Sequence, residues 1–260
     1  KLIEEAQAED IEVTFDQYPY IAGSTMLGVV LPGWAHDGGT DKLIERLKNP
    51  EDRERMKHDI ENGIEGWDSF IDFAGFHGIF VTSVVSEKNQ DAVGLSLTEL
   101  AELRGTDPYT ATFDIIMEEE NAVGMVNFNA TEENVVKFMR RPEMNVCTDG
   151  LLSPGKPHPR LYGSFPRILG KYVREEKVMP LEEAVKKLTF KAAEAMNLKD
   201  RGLLKEGYYA DITIFNPDTI VDKGTFIDPI QFPEGIEYVI VNGKVAVEHG
   251  KHTDILNGKV

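Results

Sequence analysis

A short apolar run that ends in an acidic residue constrains the fold of this chain most. Residues 144–147 supply the apolar positions of a short strand that is covered on both faces. Asp149 stands at the carboxyl end of this run, and Gly150 permits a sharp turn of the backbone. Ligands of α/β proteins gather at the carboxyl ends of parallel strands. The stretch therefore predicts an α/β layout with Asp149 as a candidate for chemistry.

A loop beyond this strand carries a second candidate. His158 lies between two prolines, and Arg160 follows directly. A carboxylate at a strand end suits proton transfer, whereas a planar guanidinium suits an anionic substrate. In the alternative interpretation Asp149 only caps the next segment and Arg160 is solvated. The spacing of the residues alone favours neither interpretation.

The charge balance excludes several classes of partner. The chain has 28 Lys and Arg against 45 Asp and Glu, a net charge of −17. Nucleic acids and anionic membranes need basic surfaces, so neither is expected as a partner. Cys147 is the single cysteine, which rules out an internal disulfide and favours a reducing cytoplasm. No apolar run is long enough to cross a bilayer.

Hydrophobic periodicity predicts alternating helices and strands. The order of helix and strand is typical of the βα units of a parallel sheet. The predicted strands are 11–15, 78–85, 124–128, 211–215, 238–241 and 244–247, and the predicted helices include 1–10, 96–103, 132–140, 164–176 and 180–196. Residues from about 26 to 75 interrupt this pattern and are predicted to be an insertion. Residues 1–10 have helical spacing without a cap, so we expect a longer protein.

Local signals set some boundaries of these elements. Ser96 and Glu99 have the spacing of a capping box, and Pro108 stands at a helix start. Thr40 is predicted to cap the first helix of the insertion. Residues 242–243, Asn-Gly, predict a tight hairpin turn in the tail.

Several blocks of sequence resemble one known group of enzymes. Residues 15–25, which contain Tyr-Pro-Tyr, resemble N-acyl-D-amino-acid deacylases (D-aminoacylases) of the amidohydrolase superfamily, as do residues 147–150, 158–160 and 162–170. The tail signals at residues 200–212 and 241–243 resemble the superfamily more broadly. The resemblance covers nearly the whole chain, and the Tyr-Pro-Tyr block and the His-Pro-Arg loop are its more specific parts.

This resemblance implies a fold and a cofactor. The fold would be the C-terminal portion of a (β/α)8 barrel over residues 1–199, with residues 200–260 in a small composite β-sandwich. The cofactor would be zinc. No His-x-His pair occurs in the chain, and none of its six histidines ends a strand at ligand spacing. We therefore expect the other metal ligands upstream of Lys1, and no tight zinc binding by these 260 residues alone.

The resemblance also assigns roles to four residues. Asp149 matches the catalytic aspartate and could also contact the metal, whereas Arg160 matches the arginine that binds the amino-acid carboxylate. Tyr18 and Ser24 match groups that hydrogen-bond the same end of the substrate. The implied activity is zinc-dependent hydrolysis of the linear amide of N-acyl-D-amino acids, small-molecule substrates. The isolated chain is expected to be inactive.

Two alternatives stay open at this point. One is a cyclic amidase of the same superfamily, such as a dihydropyrimidinase or a dihydroorotase, although those lack the Tyr-Pro-Tyr and His-Pro-Arg blocks. The other is a non-catalytic fragment without metal ligands. Cys147 is interpreted as a small hydrophobic residue, and His158 as a polar loop residue. The sequence leaves open the acyl group, the substrate side chain, the number of metal ions and whether the protein forms a homo-oligomer.

Overall fold

The computed structural model describes residues 1–259, which form an α/β structure. The helices are α1 (Leu2–Ala8), α2 (Thr40–Lys48), α3 (Pro50–Asn62), α4 (Phe70–Ala74), α5 (Leu97–Arg104), α6 (Pro108–Glu118), α7 (Glu132–Met139), α8 (Arg160–Arg167), α9 (Leu181–Leu188) and α10 (Phe190–Ala195). The strands are β1 (Phe15–Gln17), β2 (Gly23–Met26), β3 (Ile79–Ser83), β4 (Gly124–Asn127), β5 (Met144–Val146), β6 (Ile212–Phe215), β7 (Ile236–Val241), β8 (Lys244–Glu248) and β9 (Lys251–His252). Short 3-10 turns cover Leu27–Val30, Gly33–His36, Phe76–Gly78 and Glu87–Ala92. None of the helices in this described part has the length and apolar character needed to cross a membrane.

The chain divides into two compact units. One contains Lys1–Tyr20, Glu132–Gly150 and the residues from Pro159 onward, and the other contains Ile21–Thr131 and Leu151–His158. This division does not test the predicted boundary between residues 199 and 200, nor the predicted insertion at about 26–75, and both stay predictions.

Strands β1 and β5 form a parallel pair in the first unit. Phe15 pairs with Met144, and Gln17 with Val146. One face of the pair packs on α7, because Phe15 makes an edge contact with Phe138 at 6.0 Å and the Gln17 side chain donates to the Val135 carbonyl at 3.0 Å. Side chains alternate along a strand, so the opposite face carries residues 16 and 145. All three residues of β5 are buried, which agrees with the predicted strand.

The second unit contains an antiparallel sheet in the order β2-β4-β3. The helix-and-strand order predicted a parallel sheet for β3 and β4, and that prediction is wrong for these two strands because both pair antiparallel. Strand pairing depends on contacts between residues that are distant in the sequence, and local hydrophobic periodicity does not indicate these contacts. The core of this unit includes side chains from α2, α3, α5, α6, β3 and β4, among them Leu43, Met56, Ile79, Leu100, Ile115 and Met125.

A four-stranded antiparallel sheet, β6-β7-β8-β9, occupies the chain from residue 212 in the first unit. Asn242 and Gly243 join β7 to β8 with φ angles of 47° and 80°. Both angles lie in the left-handed region that a tight type I′ hairpin requires. The predicted Asn-Gly turn is therefore confirmed.

Several element boundaries differ from the sequence prediction. The strand predicted at 11–15 is β1, which begins only at Phe15. The helix predicted over 180–196 is broken at Thr189, whose φ and ψ of −132° and −85° are not helical. Thr40 is the first helical residue of α2 rather than its cap, and Gly39 precedes it. Helix α8 begins at Arg160, ahead of the predicted start, and continues as a π-helix over Ile168–Glu175.

Candidate active site

Asp149 lies just beyond the carboxyl end of β5. Its φ angle is +44°, in the left-handed region that non-glycine residues seldom adopt. Its side chain is 58% exposed, and Oδ2 lies 2.9 Å from Nη2 of Arg160. The acid predicted at a strand end and the arginine predicted in the following loop are therefore in direct contact.

Arg160 is the first residue of α8 rather than a loop residue, and its side chain is only 2% exposed. Its guanidinium lies over the ring of Tyr18, with Cζ 4.6 Å from the ring centroid. Burial raises the pKa of Tyr18, whereas the charge of Arg160 and the hydrogen bond that it donates to the hydroxyl oppose this rise. The stack fixes the plane of a guanidinium that would otherwise sample many rotamers.

The parallel pairing of β1 and β5 explains why these residues meet. Cys147 N donates to the Gln17 carbonyl at 3.1 Å, one step beyond the last paired strand residues. Tyr18 and Asp149 therefore leave the same end of neighbouring strands. Burial, Asp16 and Asp149 all raise the pKa of the Cys147 thiol. Cys147 thus stays protonated at neutral pH and is a poor nucleophile.

Two of the residues considered from sequence belong to the second unit. Ser24 lies in β2, where it pairs with Val126. His158 is 4% exposed and donates from Nε2 to the Ala22 carbonyl at 2.9 Å. His158 lies in a loop, as predicted, but it is buried, and its hydrogen bond connects this loop to the chain before β2.

Residues 1–259, which the structure describes, do not fit a zinc site by themselves. Among residues 1–259, no group of three or more His, Cys, Asp or Glu side chains converges closely enough to hold a metal ion. Asp149 faces the guanidinium of Arg160 rather than a second carboxylate or an imidazole. A zinc ion in a protein needs three or four such ligands.

Sequence reasoning missed a second arginine next to the candidate site. Arg167 ends α8, donates from Nε to the Pro19 carbonyl at 2.9 Å and pairs through Nη1 with Asp222 at 3.0 Å. Its guanidinium lies over the ring of Tyr20 at 4.8 Å. The seven-residue spacing between Arg160 and Arg167 was visible in the sequence and places both on one helical face.

The chain is similar to known deacylases in sequence and in structure. D-aminoacylase of Alcaligenes xylosoxydans xylosoxydans is 34% identical over 242 residues, which are 93% of this chain and 40% of that protein. N-acyl-D-glutamate deacylase of the same organism is 39% identical over 158 residues, 61% of this chain and 31% of that protein. The crystal structure of N-acyl-D-glutamate deacylase from Bordetella bronchiseptica, complexed with zinc and a phosphonate inhibitor, superimposes with a TM-score of 0.71 at 28% identity, covering 99% of this chain and 45% of that one.

These coverages also describe the chain itself. It spans less than half the length of the relatives that it matches. The model of the amidohydrolase family matches residues 89–247, which is more than half of the chain. By this match, the chain belongs to the amidohydrolase family.

Proposed function

We propose that the protein to which this chain belongs is a zinc-dependent N-acyl-D-amino-acid deacylase that hydrolyses a linear amide next to a free carboxylate. The chain would be the later part of a (β/α)8 barrel with a composite β-sandwich over residues 200–260. The observation that carries the proposal is the contact between Asp149 and Arg160 over the ring of Tyr18. A cytoplasmic location and a homo-oligomeric state remain predictions.

Arg160 suits the recognition of the substrate. Its guanidinium is buried and stacked, so a carboxylate meets donors that are already oriented. The name of one relative agrees with such a substrate, because N-acyl-D-glutamate deacylase is named for an N-acyl amino acid that carries carboxylates. The Tyr18 hydroxyl would also hydrogen-bond the substrate carboxylate, and we propose the Ser24 hydroxyl as a second donor to this carboxylate.

Asp149 suits proton transfer. Its side chain is largely exposed, so it can rotate away from Arg160 toward a water molecule. An ionised carboxylate takes a proton from the attacking water and passes it to the leaving nitrogen. The residues that the structure describes form no zinc site by themselves, so this account uses Asp149 and Arg160 alone.

The proposal is tested with the intact protein and N-acetyl derivatives of D- and L-amino acids. We expect release of D-amino acids only, and a loss of about 100-fold or more in kcat for Asp149→Asn. Asp218→Asn, an exposed acid in a turn before β7, serves as the matched control and should keep full turnover. Full turnover by Asp149→Asn would refute the role of Asp149.

The same assay separates the cyclic-amidase alternative. Dihydropyrimidines and dihydroorotate are offered to the same preparation. Hydrolysis of these rings without hydrolysis of any N-acetyl-D-amino acid would favour the cyclic amidase. An intact protein that turns over neither class would favour the non-catalytic alternative.

A further inference from the structure

We propose that Arg167 is a positioning residue, which holds the Tyr18–Tyr20 segment against α8 and so fixes the stack of Tyr18 and Arg160. This inference rests on the proposed function, in which Arg160 binds the substrate carboxylate. The contacts of Arg167 are with Pro19, Tyr20 and Asp222. It acts through the backbone and rings of the segment beside it.

Two arginines of one helix stack on two tyrosines of one short segment. Arg160 lies over Tyr18 at 4.6 Å and Arg167 over Tyr20 at 4.8 Å. Residues seven apart lie on the same helical face, so the two stacks run in register along α8. A shift of the segment along the helix would break both stacks together.

The segment between the tyrosines is held at its backbone. Pro19 has no backbone N–H and a restricted φ, so this residue is stiff. Its carbonyl accepts a hydrogen bond from Nε of Arg167 at 2.9 Å. Pro19 and Tyr20 are both buried, so this bond is shielded from water. The contact transmits the position of Arg167 to the residue next to Tyr18.

Arg167 is in turn fixed by a residue from the chain between β6 and β7. Asp222 is 10% exposed and pairs with Nη1 of Arg167 at 3.0 Å. The fit is close around Gly163, because a Cβ there would lie 2.6 Å from the Tyr20 hydroxyl and 2.9 Å from Cβ of Asp222. Burial opposes the charge of Arg167, but Asp222 raises the pKa of its guanidinium. Arg167 is therefore charged and anchored on two sides.

The alternative is that Arg167 only stabilises the fold. Arg174 provides the matched control, because it lies in the same helical run and its Nη1 donates to the Ile220 carbonyl at 2.5 Å. Arg174 therefore contacts the segment that contains Asp222, at Ile220, and its hydrogen bonds do not involve residues 18–20. A general loss of stability should appear equally in Arg167→Met and Arg174→Met.

The test measures KM and kcat of the intact protein for its best N-acetyl-D-amino acid and for the corresponding carboxamide. For Arg167→Met we expect KM to rise about 10-fold with kcat within about 3-fold, since ground-state and transition-state binding are lost together. The preference for the acid over the amide should fall, as it does in Arg160→Met. Arg167→Lys keeps the positive charge but lacks the planar guanidinium, so its KM should lie between those of the wild type and Arg167→Met.

The outcomes separate this inference from the proposed function. If Arg160→Met loses the preference for the acid while Arg167→Met behaves like Arg174→Met, the positioning role is refuted and the proposed function stands. If Arg160→Met keeps the preference, the proposed function fails at Arg160. A crystal structure of Arg167→Met then decides the positioning role, with Cζ of Arg160 expected to leave the Tyr18 ring, and an unchanged stack overturns it.

Discussion

Asp149 combines an exposed carboxylate with a backbone in the left-handed region. Glycine adopts this region freely and asparagine tolerates it, whereas alanine pays about 1 kcal/mol or more. We therefore expect Asp149→Gly and Asp149→Asn to be more stable than Asp149→Ala by about 1 kcal/mol in urea unfolding of the intact protein. Asp149→Gly and Asp149→Ala both remove every side-chain contact with Arg160, so the difference between these two variants reports the backbone. Equal stability of the three would show that the backbone at this position relaxes.

Tyr18 contributes a ring and a hydroxyl that can be separated. Tyr18→Phe keeps the ring beneath Arg160 and removes the hydroxyl, which accepts a hydrogen bond from that arginine. We expect KM for an N-acetyl-D-amino acid to rise about 3-fold to 10-fold with little change in unfolding free energy. Tyr18→Leu also removes the stack and should raise KM further. A Tyr18→Phe enzyme as impaired as Tyr18→Leu would assign the effect to the hydroxyl alone.

The sequence was enough to single out Asp149 and Arg160 as candidate site residues, because each lies next to a glycine or proline in a block that resembles the family. It did not indicate Arg167 as a partner, since its contacts are with Pro19 and Asp222, 148 and 55 residues away. Nor did it indicate the burial of His158, because that hydrogen bond reaches across 136 residues. Residue roles that depend on distant partners cannot be read from local spacing.

At the scale of elements, a buried glutamate joins the end of α6 to the chain after β3. Glu119 is 4% exposed and accepts hydrogen bonds from the Val85 and Ser86 amides at 2.7 and 2.8 Å. Nδ2 of Asn89 donates at 2.6 Å, and the Ser86 hydroxyl donates as well. Replacing Glu119 by Ala leaves the buried Asn89 amide and the partly buried Ser86 donors without their acceptor, which should cost about 2 kcal/mol of unfolding free energy.

The same residue predicts a pH dependence of stability. Burial alone would raise the pKa of Glu119, but the hydrogen bonds from Ser86 and Asn89 hold it below the usual value. A carboxyl with a lowered pKa in the folded state adds stability above its unfolded pKa of about 4.3 and loses it as the pH falls through the folded pKa. Glu119→Gln should therefore show a shallower loss of stability than the wild type below about pH 4.3. Parallel curves in urea unfolding at pH 3 to 6 would contradict this prediction.

Local signals predicted elements better than they predicted sheets. The capping box at Ser96 and Glu99 is present, with both reciprocal hydrogen bonds, and Asp107 accepts from the first amides of α6. Such capping signals involve residues within four positions of one another, so they can be recognised in the sequence. The strands that pair with β4 cannot be recognised in this way, because β2 and β3 lie about 100 and 45 residues away in the sequence and their pairing depends on packing. The helical break at Thr189 is likewise set by its surroundings, since no proline or glycine stands there.

At the scale of the whole molecule, the first unit leaves many apolar side chains in solvent. Every residue of β7, the second strand of the four-stranded sheet, is only partly buried. Ile227 and Phe232, in the chain before β7, are 81% and 78% exposed, and Leu204 is 84% exposed. Apolar surface on this scale is typical of a surface that is covered in the functional protein. The net charge of −17 opposes contact between copies at low ionic strength.

These two properties predict how the 260-residue chain behaves when it is produced alone. We expect sedimentation velocity to show species heavier than the 29.1 kDa monomer, because the exposed apolar side chains associate. Raising the salt from about 0.05 to about 0.5 M should increase the association, since screening weakens the repulsion between acidic copies. The double variant Ile227→Asp with Phe232→Asp should associate less, and Glu206→Gln with Asp218→Asn, which removes two charges at exposed positions, should associate more. A compact monomer at every salt concentration would show that the exposed side chains do not drive association.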